Sequence, residues 1–131
     1  MALSIAAAAT QAMGAALASD IGAGSIIEIR SGAKPATPET AASGTLLVSI
    51  TISGSLTSTG GVLTAADPGA TLPAASGTAG HFRLKTSGGT AKLDGTVTAT
   101  GGGGDMQLGS TTITTGVPVD LGVPTFTVPV A

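Results

Sequence analysis

His81, Arg83 and Lys85 stand two residues apart on a segment where they alternate with Phe82 and Leu84. In a strand that spacing puts the three nitrogen-bearing side chains on one face. Two readings are open for them. One is a small anion-binding strip that faces a glycan or an anion. The other is a polar face that keeps a strand edge from pairing wrongly. His81 is the chain's one histidine, and no Ser, Cys or carboxylate lies at a spacing that would make it part of a nucleophilic triad.

Asp94, Asp105 and Asp120 lie near predicted turns or strand ends. A glycosidase needs two carboxylates roughly 5–10 Å apart across a sugar-binding cleft. Sugar platforms are usually aromatic, and the chain has neither Trp nor Tyr. Calcium takes oxygen ligands from carboxylates and loop carbonyls. No segment has the dense Asp/Asn spacing of a calcium loop, however, and Asn is absent altogether. The run Gly101-Gly102-Gly103-Gly104 is followed by Asp105 and strand-like residues, without the Lys-Ser/Thr and helix of a phosphate-binding loop. It reads as a flexible turn or a place of close backbone approach. No catalytic residue, cofactor or metal site is expected, and the chain reads as a non-enzyme.

The elements that carry these residues follow from composition. The chain has 131 residues and a net charge of −2, with 21 glycines, 21 threonines and no cysteine. That length fits one domain. Without Cys there is no disulfide, no thiolate nucleophile and no Cys-based zinc site. Acidic and basic residues are mixed, so no basic stripe points to nucleic acid. Leu, Ile, Val, Met and Phe together number 32, but only Phe82 and Phe126 are aromatic. A core built from small side chains leaves an isolated monomer marginal, because small domains bury a smaller fraction of their surface. Oligomerisation or a host surface is expected to supply further burial.

Residues 2–19 read as an Ala-rich helix, since Ala is the strongest helix former. Met13, Leu17 and Ile21 recur at i, i+4 spacing on one face, and Gly22 and Gly24 supply a stop. No Lys or Arg precedes Arg30, which argues against a signal peptide, and the run is too weakly apolar for a membrane span. A helix retained in the mature protein is expected.

From Ser25 the period changes to two. Ile27 and Ile29 alternate with Glu28 and Arg30. Residues 31–44 follow as a Pro-containing extended loop. Leu46, Val48, Ile50 and Ile52 then mark the clearest strand. Gly60-Gly61 and Asp67-Pro68-Gly69 are turn signals. His81–Thr86 and Lys92–Thr100 flank the hairpin connection Ser87-Gly88-Gly89. Met106 and Leu108 begin another strand. Phe126, Val128 and Val130 form a last one, an edge strand or one added to a partner's sheet. The expectation is a mainly β chain: a helix or arm over 1–24, then an antiparallel sandwich or jelly roll of about seven or eight short strands over 25–131.

Thr78-Ala79-Gly80-His81-Phe82-Arg83-Leu84, followed by Leu93-Asp94-Gly95-Thr96-Val97, resembles a group of small proteins encoded in the structural gene clusters of tailed bacteriophages. Ile27-Glu28-Ile29-Arg30-Ser31-Gly32 and Pro35-Ala36-Thr37-Pro38 extend the resemblance over most of 25–130. It departs at His81, where those proteins often carry Trp, and at Ser87-Gly88-Gly89, where they have an acidic turn. The resemblance implies a virion structural role.

The leading expectation is a capsid decoration (cement) protein, made in the host cytoplasm and bound outside the assembled head. Its partners would be the major capsid protein and copies of itself, as a trimer or other small oligomer, with no nucleic acid and no membrane. The expected contacts are Met13, Leu17 and Ile21 on the helix and Phe126, Val128 and Val130 on the last strand. The segment 31–44 or the tail 117–131 is expected to clamp a neighbouring sheet by strand addition. A tail, neck or fibre component, or a surface-displayed ligand-binding module using His81, Arg83 and Lys85, are the alternatives.

Overall fold

The computed structural model describes residues 6–123 and 125–127. The chain is mainly β with one N-terminal helix. In chain order the elements are α1 (Ala7–Ile21), β1 (Ile26–Ser31), β2 (Leu46–Thr51), β3 (Thr57–Thr59), β4 (Val62–Thr64) and β5 (Ala70–Thr71). They continue with β6 (Gly77–Lys85), β7 (Ala91–Ala99), β8 (Met106–Leu108), β9 (Thr112–Ile113), β10 (Val119–Asp120) and β11 (Thr125–Thr127). The eleven strands among the described residues exceed the seven or eight read from periodicity. The extra ones, such as β3, β5 and β10, span two or three residues, too few for a period of two to show.

The main sheet runs β2-β1-β6-β7-β8, with β9 pairing to β6 beyond the end of β1. Its apolar face is a set of cross-strand rows. Ile50, Ile27, Leu84 and Leu93 form one row, and Val48, Ile29, Phe82 and Gly95 the next. Such rows are the unit by which sheets are stabilised. Gly95 has a packing reason: a Cβ there would collide with the Phe82 ring. A smaller sheet runs β11-β4-β3, and its β3–β4 hairpin turns at Gly60-Gly61, both with positive φ. The two sheets meet where the Phe82 and Phe126 rings stand 5.6 Å apart. One core spans them, from Ile27, Ile29, Val48, Ile50 and Leu84 to Leu56, Leu63, Ala18 and Ile21.

All strand pairs are antiparallel except β7–β8. A parallel return normally needs a crossover of about a dozen residues or more. Here residues 100–105 suffice, because the glycine run lets the backbone double back against Thr98. A Cβ at Gly102 or Gly104 would lie 2.7 or 2.8 Å from that side chain. The turn is pinned by Gly104 N–H donating to Thr98 Oγ1 and Gly101 N–H donating to Gln107 Oε1. Gly102 and Gly104 therefore serve close backbone approach, while Gly101 and Gly103 take positive φ to make the turn.

The helix packs on the β3–β4 hairpin of its own chain. Gly14 lets it approach: a Cβ there would sit 3.2 Å from Gly61 Cα and collide with Ser58 Oγ. The Gln11 amide donates to Ser58 O at 2.9 Å and accepts from Gly60 N–H. Gly22 N–H closes the helix on Ala18 O.

Candidate functional site

The face of the main sheet opposite the core carries a cluster of five charged side chains, Glu28, Arg30, Arg83, Lys85 and Asp94. Glu28 on β1 lies opposite Arg83 on β6, and Arg83 lies opposite Asp94 on β7. Arg83 and Asp94 form a two-pronged pair, Nε to Oδ1 at 2.7 Å and Nη2 to Oδ2 at 2.9 Å. The flat guanidinium fork matches a carboxylate, so this is the strong form of an ion pair. Glu28 bridges two cations, accepting from Arg30 Nε at 3.2 Å and from Lys85 Nζ at 3.1 Å. Arg83 Nη2 also donates to Thr40 O at 2.7 Å, which ties the tip of the 31–44 loop onto this face. The Asp94 hydrogen bond, with Coulombic support from Asp94 and Glu28, raises Arg83 above the ordinary arginine pKa against the opposing cost of burial.

This arrangement corrects the expectation of an exposed strip at His81, Arg83 and Lys85. His81 is 0 % and Arg83 4 % exposed. β6 is the central strand of its sheet, covered by the core on one face and by the folded-back loop on the other. Arg83 and Lys85 each hold a carboxylate of the same chain. His81 Nδ1 lies 3.2 Å from Gly32 O, and among the described residues its Nε2 has no partner. The alternation correctly gave a shared face. It did not reveal that the face is buried and internally neutralised.

The other singled-out carboxylates also do structural work. Asp105 Oδ2 accepts from Thr96 N–H at 3.0 Å and Thr96 Oγ1 at 3.2 Å, which caps the upper part of β7. Asp120 Oδ1 accepts from Gly122 N–H at 2.9 Å. Asp94 and Asp105 both border a recess between the sheets with Lys34, Phe82 and Phe126, yet Asp94 is already committed to Arg83. Among the described residues no group of three or more His, Asp or Glu side chains is placed to hold a metal ion.

The expected contact residues separate. Ile21 is 2 % exposed and belongs to the core of its own chain, and Leu17 packs against that core. Met13 is 42 % exposed. Met13 lies about 80° round the helix from Ile21, at the margin of the inward face and not at its centre. Gly14, Ala18 and Ile21 face inward instead. Phe126 is buried on β11, which is an edge strand of the small sheet, as its alternation suggested. Val128 and Val130 lie outside the described residues. Among the described residues, the large apolar side chains that do face outward, besides Met13, are Leu72, Val117 and Val123, in and around the β5–β10 ribbon.

Comparison with protein-family models, with curated proteins and with solved structures finds no match to this chain. Among the described residues no helix is long and apolar enough to cross a membrane.

Proposed function

We propose that the chain is a structural protein of a virus particle, most specifically a capsid decoration protein that binds the outside of an assembled head with copies of itself. The observation that carries this reading is the use made of its charges. Arg30, Arg83 and Lys85 are bound by Glu28 and Asp94, Lys92 by Asp20, and Asp105 and Asp120 by the chain's own backbone. These charged groups are engaged in holding shape. What faces outward is mainly Ala, Thr, Ser and Gly, with isolated large apolar side chains.

The two segments that carry the phage resemblance support the same reading. They are the paired strands β6 and β7, and their side chains interlock: Arg83 with Asp94 on one face, Phe82 over Gly95 on the other. In that light the shared residues encode a scaffold.

The test is to count this chain against the major shell protein in purified particles by quantitative mass spectrometry. A simple integer fraction of the shell count supports decoration of the lattice. A ratio of a few per cent moves the protein to the neck, tail or fibres. Absence from particles overturns the virion reading.

A further inference from the structure

The 31–44 loop has the parts of a strap. Gly32 and Gly44 stand at its two ends, both with positive φ, and a Cβ at Gly44 would collide with the Ser31 carbonyl. Its neck is closed by three bonds. Ser31 N–H donates to Thr45 O at 3.1 Å, Thr45 N–H to Ser31 Oγ at 2.9 Å and Ser43 Oγ to Ala33 O at 2.7 Å. The loop is therefore an Ω-shaped excursion whose ends stay together whatever its body does.

The body is held differently. None of its side chains joins the core, and most of residues 32–44 are exposed. An open hollow of about 480 Å³ separates residues 38–42 from Arg30, Arg83, Lys85 and the β6–β7 turn. Across it, the tip is fastened by Arg83 Nη2 donating to Thr40 O. The turn at the tip is local, with Thr40 N–H on Thr37 O and the two threonine hydroxyls 3.2 Å apart, so it can move as a piece. Opening breaks few bonds and uncovers little apolar surface, since of the strap's apolar side chains only Pro35, Pro38 and Ala42 are even half-buried; these are the conditions for local opening far below the cost of global unfolding.

We infer that residues 32–44 are a strap hinged at Gly32 and Gly44 and latched at its tip by Arg83, and that it opens as a unit while the sheet beneath stays folded. Once open it is a proline-stiffened loop, still closed at its neck, whose tip carries free backbone groups. That is a form suited to adding to the sheet edge of a neighbour. The inference concerns this chain alone and does not rest on the proposed function.

The chain provides its own assay. Its only glutamates are Glu28, inside β1, and Glu39, on the strap. A glutamate-specific protease on the intact protein therefore reports global unfolding at one site and strap opening at the other. The expected result is cleavage after Glu39 alone, slower than in a peptide of residues 32–44 and nearly independent of low urea, leaving a folded nicked chain. Arg83→Lys loses the fork and should speed cleavage at Glu39 by roughly tenfold or more while Glu28 stays protected, since one hydrogen bond to a charged group is at stake. Cutting of Glu28 and Glu39 at one rate with one urea dependence would overturn the inference. So would cleavage of the wild-type strap at the free-peptide rate. The wild-type urea series decides the question even if the variant fails to fold.

Discussion

Arg83 and Asp94 face each other directly across the β6–β7 pair, and their side chains are 5 % and 2 % exposed. The pair sits between the core strands and the strap, so it serves both: Nε and Nη2 hold Asp94, and Nη2 also holds Thr40 O. A buried ion pair is expensive to desolvate, and removing one partner leaves the other charge uncompensated.

Asp94→Ala should therefore destabilise the fold by about 3–5 kcal/mol, far more than loss of an exposed pair. Urea denaturation followed by far-UV circular dichroism checks this against Asp20→Ala. That change breaks the bridge to Lys92, whose Asp20 side chain is 58 % exposed, and should shift the midpoint little. The pH dependence has a definite sign. Arg83's pKa is raised in the folded state, so its contribution is fully present below the ordinary arginine value and is lost as pH rises from there through the raised one. Titration from neutral pH to the arginine range should show no transition due to Arg83. An alkaline transition abolished by Arg83→Gln would contradict this.

Gly95→Ala should be as damaging as a change from a large residue, although it adds one methyl group. The new Cβ collides with the Phe82 ring, which also packs against the Phe126 ring. Overpacking of this kind costs about 1–3 kcal/mol. The double variant Gly95→Ala/Phe82→Leu should recover part of the loss. Equal midpoints for the wild type and Gly95→Ala would show that the ring has room to move.

Several of these relationships were legible from the sequence, and the reason differs from case to case. Ile27/Ile29, Phe82/Leu84 and the Gly60-Gly61 turn are local signals, set by side-chain alternation and by φ > 0. The common face of His81, Arg83 and Lys85 was local too. Its burial was not, because it depends on β6 taking the middle of the sheet and on residues 31–44 folding back over it. At the β1–β2 irregularity between Ile29 and Arg30, Leu47 becomes fully buried while Leu46 is only half-buried, which strict alternation inverts. Gln11 and Gly14 are the residues that seat the helix, and nothing local marks them, because the seat depends on a hairpin more than 40 residues away.

Gln11→Ala follows from that seat. Both ends of its amide are used, Nε2 on Ser58 O and Oε1 on Gly60 N–H, so truncation leaves two hairpin groups to water. The expected cost is about 1–2 kcal/mol. Hydrogen exchange should place the effect: faster exchange in α1 and at Gly60, with little change in β1, β6 and β7. A uniform change across the main sheet would mean that the helix and hairpin do not open as a separate unit.

Met13 and Ile21 separate stability from partner contact on one helix. Ile21 is buried in the core, so Ile21→Ala should cost about 2–5 kcal/mol in the isolated protein. Met13 is 42 % exposed, and Met13→Ala should stay within about 0.5 kcal/mol of wild type. If the proposed role on a particle is right and the outer face of α1 is part of the contact, Met13→Asp should keep the wild-type unfolding midpoint. It should also reduce occupancy on particles or shift the protein from oligomer to monomer in sedimentation. Full occupancy and an unchanged sedimentation coefficient with Met13→Asp would remove the helix from the contact surface. The same pair of measurements should then be made on Leu72 and Val117, beside the β5–β10 ribbon.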